Sequence, residues 1–441
     1  MSSVVSTEAV PTRAADDLSP IYRKIAFRLI PILMLLWVMA WIDRVNVSFA
    51  KLQMIDELRF SDAVYGLGAG IFFIGYLLFE VPSNLLLQKI GARRTIARIA
   101  IGWGVTCALM ALVTTPFTFY ALRFLLGAFE AGYFPGVILY LTLWFPSDRR
   151  AKVFGIFMSS VALSGVFGGP LAGIIMSALH AHQGLSGWQW LFVLEGLPTV
   201  LIGIFCLFYL TNRLEDAHWL SSEERAAIAA DLERDHARLG DRESHFRAVI
   251  RDRRLWTFTA IYFCVIVANA TVAFWGPTII SGAGVTDLPT IGWIVSGASL
   301  LGSATMILNG FIADRTGRPL ILSVLSLLVA SVALAAMAAS LHSSAAVTII
   351  AFAFALAGAY GTIPVFWQMP NRLFVGTAAA GGIAVINSFG NLGGFLAPYG
   401  LGLVASETGD IAGGLFVVSL VVVVAVLGII IARRFFAPGT V

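Results

Sequence analysis

The sequence predicts an all-helical membrane protein whose twelve transmembrane helices form two six-helix bundles. Of the 441 residues, 58% are hydrophobic and only 12% are charged, and the mean hydropathy is +0.86. This balance excludes a water-soluble domain of such length. Runs of about 20 apolar residues, long enough to cross a bilayer, recur twelve times. One long polar segment, residues 211–254, separates the first six runs from the last six.

The predicted elements follow in chain order. Residues 1–20 are polar or small and are expected to form a disordered cytoplasmic tail. The first apolar run is too long for a signal peptide and lacks a cleavage pattern. The predicted spans, numbered one to twelve, are 27–50, 63–87, 95–115, 117–145, 153–179, 188–210, 255–280, 290–313, 319–341, 345–370, 377–405 and 411–432. The predicted domains are therefore an N-terminal bundle (21–210), a cytoplasmic linker with an amphipathic helix (211–254), a C-terminal bundle (255–433) and a cytoplasmic tail (434–441).

Basic residues predict the orientation of the spans. They follow the even-numbered spans and precede span 1, whereas the opposite loops hold only Lys51 and Arg59, offset by three acids. Cytoplasmic loops are the ones enriched in Lys and Arg. We therefore expect both termini to lie in the cytoplasm.

The linker and the cysteines exclude several other classes of function. Ser221 and Glu224 form a capping box for a helix of alternating charge, which predicts a solvated linker helix. This helix has no interleaved aromatic residues, so no nucleic-acid partner is expected. The three cysteines lie in apolar runs without a CxxC pair, so neither a disulfide framework nor a metal site is expected.

Span 4 contains the segment RFLLGAFEAGYFPG, in which Arg123 and Glu130 are two helical turns apart and share a face. A charge at membrane depth costs about 2.5 kcal/mol or more, so the two side chains are expected to face a polar interior. Gly127 lies between them, where a neighbouring helix or a ligand could approach. A structural ion pair is one interpretation, and a binding or relay site is the favoured one.

Apart from Arg28 and Arg98 near the starts of spans 1 and 3, the charges within the spans are Asp43, Arg44, Glu80, Arg123, Glu130 and Glu195, all in the first half. The second-half spans carry none at depth. Ion coupling is therefore predicted in the N-terminal half, and neutral recognition in the C-terminal half. Glu80 and Glu195 lie nearer to span ends, which favours a hydrogen-bonding role over coupling.

Two further patterns predict contacts. The sequence GFIADRTGRP after span 8 has a degenerate counterpart, NLLLQKIGAR, after span 2, and this repeat indicates a gating and packing loop. In it, Gly310 would let helices approach and Asp314 would cap a helix or pair with an arginine. The residues predicted for gating and packing are Gly310, Asp314, Arg315, Gly317 and Arg318.

The glycines at 165, 169 and 173 in span 5 are interpreted as positions of close helix packing.

Neutral side chains at helical spacing supply the candidate substrate contacts. Trp41, Arg44 and Ser48 share a face of span 1, and Asn387 and Asn391 are four residues apart in span 11. Each aromatic side chain taken alone more often packs than binds a ligand, whereas an amide at mid-membrane needs a partner. The predicted substrate-binding residues are Arg44, Trp41, Tyr76, Arg123, Trp367, Asn387 and Asn391.

Four stretches resemble one branch of the major facilitator superfamily, the anion:cation symporters. They are WIDRVNVSFA, FFIGYLLFEVPSNLLLQKIGARR, RFLLGAFEAGYFPG and WLFVLEGLP. The bacterial members most similar to them carry tartrate, phthalate and sugar acids. The resemblance implies that Asp43 serves proton coupling, that Arg44 binds the substrate carboxylate, and that Arg123 and Glu130 belong to the same ionic network. Glu130 would be a further protonation site.

Together these observations predict a secondary active transporter of the bacterial inner membrane that works as a monomer. It would import an organic anion, namely a sugar acid, a hydroxy-dicarboxylate or an aromatic carboxylate, by proton symport through alternating access. The proton is the coupling ion and no cofactor is expected. An organic-anion exchanger or a drug:proton antiporter of the same fold is the alternative. No nucleophile–base constellation, metal cluster or phosphate loop is present in the sequence, so an enzyme is not expected.

Overall fold

The computed structural model describes residues 18–239, 250–373 and 377–436, and all regular elements within these ranges are helices. Eleven helical segments are long and apolar enough to cross a membrane. They are Ser19–Leu58, Asp62–Ile90, Ala92–Leu112, Pro116–Thr142, Ser147–Ala178, Gly187–Tyr209, Arg253–Gly282, Leu288–Thr316, Pro319–Ser340, Ala345–Leu373 and Ala412–Phe435. The remaining predicted span, 377–405, consists of two shorter helices, Thr377–Gly390 and Leu392–Thr408. Each of the twelve predicted spans therefore coincides with helix, and the sequence-based numbering is kept below.

Most helices extend beyond the apolar runs that predicted them. Span 1 begins at Ser19 rather than at residue 27, and it continues to Leu58. The predicted tail 1–20 is therefore wrong by its last two residues, while residues 1–17 lie outside the described part of the chain. Residues 437–441 of the predicted C-terminal tail also lie outside it.

Span 4 is interrupted in its middle, next to one of the predicted site residues. Its first helix, Pro116–Glu130, is separated by two residues from its second, Tyr133–Thr142. Gly132, between the two helices, has a φ of +85°, a conformation that favours glycine. The break places the Glu130 carboxylate at a helix end inside the bundle.

The two halves of the chain contact each other through spans 1, 2 and 5 on one side and spans 7, 8 and 11 on the other. At one crossing, a Cβ added to Gly169 would overlap the carbonyl of Gly292, and the reverse also holds. Spans 5 and 8 therefore approach at backbone distance. The interpretation of the span 5 glycines as packing residues is confirmed.

Hydrogen bonds between the halves lie away from the linker, in what we call the far half of the molecule. The Ala63 amide donates to the Ser406 hydroxyl (2.7 Å), and the Tyr65 hydroxyl donates to the Phe274 carbonyl (2.5 Å). The Ser296 hydroxyl, in the far half of span 8, donates to a carbonyl of span 5 (2.7 Å). These bonds hold the two halves together at that end.

The linker helix, Ser222–Leu239, packs against the first half of the chain. Its predicted capping box is present, because the Ser221 amide donates to Glu224 (2.8 Å) and the Glu224 amide donates back to the Ser221 hydroxyl (3.1 Å). However, Ile228 is fully buried, and the Tyr22 hydroxyl donates to Asp231 (2.7 Å). One face of the predicted amphipathic linker helix therefore packs against the first half of the chain. Residues 240–249 of the predicted linker lie outside the described ranges.

Candidate transport site

A central cavity lies between the two halves of the chain. Spans 1, 5 and 6 line it from the first half, and spans 7, 8 and 10 from the second. Polar lining groups include Asn46 and Ser48 of span 1, Glu195 of span 6, and Ser299 and Tyr360 of the second half. An apolar wall with a few convergent polar groups is the usual composition of a small-molecule site.

Arg44 lies beside this cavity in a cage of aromatic rings. Its guanidinium carbon is 4.7 Å from the ring centre of Trp41, which lines the cavity, 5.2 Å from that of Phe72 and 5.5 Å from that of Tyr76. A cation over an aromatic face at such distances is stabilised electrostatically. The structure thus brings together Trp41, Arg44 and Tyr76, as the sequence predicted.

Glu130 is the ionic partner of Arg44. Its carboxylate is fully buried, and one oxygen pairs with an Nη of Arg44. The other oxygen has no hydrogen-bond partner among the described residues, and neither has Arg44 Nε or Trp41 Nε1. Buried polar atoms are normally paired, so this group of unpaired atoms indicates room for a ligand.

Arg123 is fully buried and its guanidinium contacts backbone carbonyls. Nε donates to Gly68 (3.1 Å), Nη2 donates to Ala69 (3.3 Å), and both Nη groups lie 3.5 Å from the carbonyl of Arg44. The side chain therefore joins span 4 to spans 2 and 1. The suggested Arg123–Glu130 ion pair is not formed, because Glu130 pairs with Arg44 instead.

Gly127 provides the close approach expected between Arg123 and Glu130. A Cβ added there would overlap the carbonyl oxygen of Phe72. The partner that approaches is therefore the backbone of span 2, rather than a ligand.

Asp43 points away from Arg44, as their neighbouring positions on a helix require. Its fully buried carboxylate accepts hydrogen bonds from Trp103 Nε1 (2.8 Å), Thr199 Oγ1 (3.2 Å) and Cys107 Sγ (3.3 Å). It therefore faces spans 3 and 6. Arg44, and not Asp43, is the member of the pair that faces span 4.

The second-half candidates lie elsewhere. Trp367 packs its ring against Tyr262, with ring centres 4.9 Å apart, near the linker end of span 10. Asn391 lies at the junction of the two helices of span 11. Its backbone N–H donates to the backbone carbonyl of Asn387 (2.9 Å). Among the described residues, the second-half wall of the cavity is formed by others, including Phe352 and Tyr360.

The predicted gating loop follows span 8 at the linker end of the molecule, where it contacts span 10. Asp314 accepts a hydrogen bond from Gln368 Nε2 (2.9 Å), rather than capping a helix or pairing with an arginine. Gly317 ends span 8 with a φ of +66°, and Arg315 and Arg318 are exposed. The nearest atom to a Cβ added at Gly310 would be the Cβ of Pro364, 3.8 Å away, which is an ordinary van der Waals distance. The expected close approach at Gly310 is therefore absent from this described loop.

Residues 32–398 match the family model of the Major Facilitator Superfamily. The chain belongs to the major facilitator superfamily. It is 44% identical to a protein of Agrobacterium vitis named "Putative tartrate transporter", over 94% of this chain and 95% of the relative. It is 42% identical to a protein of Pseudomonas putida named "Putative metabolite transport protein NicT", over 90% and 91% of the two chains. A quinolone resistance transporter of Acinetobacter baumannii is 39% identical, over 91% and 92%.

Solved structures support the same fold. A bacterial homologue of the human lysosomal transporter Spinster superposes with a TM-score of 0.73 at 15% identity, covering 95% of this major facilitator chain and 99% of that structure. The protein is therefore a multi-pass membrane transporter with a small-molecule substrate, not an enzyme. The expected similarity to tartrate carriers of this superfamily is confirmed.

Proposed function

We propose that this transporter imports an organic anion together with protons, with Arg44 as the carboxylate anchor. The observation that carries the proposal is the set of buried donors beside the cavity, Arg44 Nε and Trp41 Nε1, which have no partner among the described residues. A guanidinium offers two parallel N–H donors to a carboxylate and stays charged. The tartrate-carrier relative agrees with a carboxylate substrate.

Proton coupling follows from the pairing of Arg44 with Glu130. A substrate carboxylate that binds Arg44 competes with Glu130 for the same guanidinium. Once Glu130 loses its cation, a buried carboxylate is more stable as the neutral acid, so it takes up a proton. When the anion leaves, Arg44 recaptures Glu130 and the proton is released. The substrate and the proton therefore move together.

The orientation completes the proposal. The linker end of the molecule carries the excess of Lys and Arg and is assigned to the cytoplasm. The hydrogen bonds between the halves lie in the far half, so the far end of the carrier is closed in the described structure, as in an inward-facing or an occluded state. The protein is assigned to the bacterial inner membrane with both termini inside, acting as a monomer without a cofactor.

Uptake into proteoliposomes tests this function. The purified protein is reconstituted and given an inward proton gradient, with labelled tartrate, phthalate and galactonate as the panel of organic acids. We expect accumulation of at least one acid, and its loss when a protonophore collapses the gradient. Accumulation that is unchanged by the protonophore would contradict proton symport.

A drug:proton antiporter is the second candidate, because a quinolone resistance transporter is 39% identical over most of this chain. The aromatic cage around Arg44 would suit a planar ligand as well as an aliphatic acid. The same proteoliposomes discriminate the two functions. Antiport predicts that a quinolone accumulates against the direction of proton flow, whereas symport predicts an acid that accumulates with it. Exchange without any gradient would instead favour an organic-anion exchanger.

A further inference from the structure

A second acidic group lies behind span 1, apart from the Arg44–Glu130 pair. Glu195 of span 6 is 1% exposed, and its Oε2 accepts a hydrogen bond from Asn46 Nδ2 (2.9 Å). The same Asn46 nitrogen lies 3.5 Å from Cys107 Sγ, which contacts Asp43. Asp43, Asn46, Cys107 and Glu195 therefore form one connected, buried network, which we call the rear network.

The rear network contains two carboxyl groups and only neutral hydrogen-bond donors. The donors to Asp43 and Glu195 are an indole, a hydroxyl, a thiol and an amide. The charged groups that face the network from the packed elements are Arg123 and Glu130 of span 4, and Arg44 of span 1, which pairs with Glu130; none of them donates a hydrogen bond to Asp43 or Glu195 among the described residues. Span 5, which packs against spans 1 and 6, carries no charged residue in its helix Ser160–Ala178.

Two neighbouring carboxylates without a cation cannot both stay ionised in a low-dielectric interior, so the pair holds at least one proton. The unpaired atoms indicate where it resides. Glu195 Oε1 and Asn46 Oδ1 are buried acceptors without a donor among the described residues. A proton on Glu195 Oε1 would convert one of these acceptors into a donor for the other.

The rear network also has access to the substrate cavity. Asn46 and Glu195 both line the cavity, whereas Asp43 lies behind them against Trp103 and Thr199. A proton entering from the cavity would therefore meet Glu195 before it meets Asp43.

We propose that Asp43 and Glu195 form one shared protonation site, in which Glu195 exchanges the proton with the cavity. This inference rests on the proposed proton symport and adds a residue to it. The resemblance to the symporter family implies coupling roles for Asp43 and Glu130 only, and the sequence favoured a hydrogen-bonding role for Glu195.

Infrared difference spectroscopy tests the shared site without any transport measurement. The purified wild-type protein at neutral pH should show a carboxylic-acid C=O band from the rear network. Glu195→Gln and Asp43→Asn should each shift or remove that band. Asp56→Asn, which neutralises an exposed acid on the same helix as Asp43, is the matched control and should leave the band in place. If Glu195→Gln fails to fold, Thr199→Val, which deletes one donor to Asp43, should still shift the band.

The pH dependence of transport then tests whether the carboxyl groups that give the infrared band take part in proton coupling. The pH midpoint of net uptake should move by about one unit in Glu195→Gln, because two coupled carboxyl groups titrate as a pair.

The two proposals fail in different ways. A wild-type spectrum without the band, or a band unchanged in both acid variants, overturns the shared site and leaves the Arg44 assignment standing. A pH midpoint in Glu195→Gln equal to that of the wild type overturns the cavity-exchange role. Normal substrate affinity in Arg44→Lys overturns the proposed anchor, while the infrared result still decides the shared site.

Discussion

At the scale of single residues, the structure separates two arginines that the sequence placed in one network. The guanidinium of Arg44 keeps an unpaired Nε beside the cavity, whereas that of Arg123 donates to three backbone carbonyls. Both are cations within the membrane-spanning helices of the first half; Arg123 is fully buried, and the Arg44 side chain is 12% exposed. Among the described residues, only Arg44 keeps an unpaired N–H donor with which a ligand could first bind.

Arg44→Lys should weaken anion binding by more than tenfold, or about 1.4 kcal/mol. Lysine keeps the charge but loses the two parallel N–H donors of the guanidinium. Calorimetry on the purified variant measures the effect, with Arg98→Lys, at an exposed arginine on span 3, as the control. Near-normal affinity in Arg44→Lys would show that the carboxylate binds elsewhere.

Arg123→Lys should lower thermal stability more than it lowers affinity. An ammonium cannot reach carbonyls on both span 1 and span 2 from one position, and each hydrogen bond from a charged group contributes about 1.5–3 kcal/mol. Thermal unfolding in detergent, compared with binding by the folded fraction, measures the two effects separately. A variant that unfolds normally but no longer binds would restore Arg123 to the substrate-binding set.

Glu130→Gln and Asp43→Asn should each lose pH-driven accumulation, while at least one of them retains counterflow. An amide mimics the protonated acid, so the loaded carrier can still reorient but cannot release a proton inside. Accumulation under a proton gradient and exchange without one are measured in the same proteoliposomes. If both variants still accumulate substrate, coupling resides elsewhere; if both also lose binding, these acids are structural partners.

Residue spacing predicted part of this site and could not predict the rest. Adjacent positions on a helix fix the divergence of Asp43 and Arg44, and the seven-residue spacing fixes the shared face of Arg123 and Glu130. Spacing within one helix does not identify partners on another helix. The pairing of Glu130 with Arg44, and of Asp43 with Trp103, depends on how spans 1, 3 and 4 pack together.

At the scale of helices, apolar runs predicted which segments cross the membrane, and local breaks were harder to see. The turn at Gly132 splits span 4, and the junction at Asn391 splits span 11. Both interruptions lie within runs whose hydropathy is uninterrupted, because the broken backbone is buried in protein rather than exposed to lipid.

The docking of the linker helix also depends on tertiary contacts that its sequence alone does not show. Asp235 accepts hydrogen bonds from the amide (2.9 Å) and the hydroxyl (2.6 Å) of Ser147, at the start of span 5. Its carboxylate therefore joins the linker helix to a transmembrane helix. The capping box predicted where the helix begins, but nothing in it identified Ser147.

Asp235→Ala should destabilise the folded protein by about 1–3 kcal/mol, because the Ser147 amide and hydroxyl lose a charged acceptor. Glu233→Ala, on the exposed face of the same helix, is the matched control and should have little effect. Thermal unfolding and limited proteolysis of the linker measure the difference. Equal behaviour of the two variants would show that this contact does not hold the linker.

At the scale of the whole molecule, the contacts between the halves predict how transport can be stopped. Ala63→Cys together with Ser406→Cys should form a disulfide under oxidation, since the two positions are hydrogen-bonded across the halves. The native cysteines are all buried and should not interfere. The oxidised protein should bind the anion from the linker end but carry out no net uptake, and a reductant should restore uptake. Each single-cysteine variant is a control. If the oxidised double variant took up substrate as fast as the same variant after reduction, alternating access would be contradicted.

The glycine crossing of spans 5 and 8 has a consequence for how far a substrate can shift the carrier. In a bilayer, helices gain little from the hydrophobic effect on association, and their contact is held mainly by van der Waals packing. Gly169 and Gly292 meet backbone to backbone, so this part of the crossing can separate with few side chains to rearrange. A shallow free-energy difference between the closed and open far end is the expected result. Shifting a two-state population from 1:99 to 99:1 takes about 5.5 kcal/mol of differential binding, an amount within reach of a small anion held by one guanidinium and its neighbours.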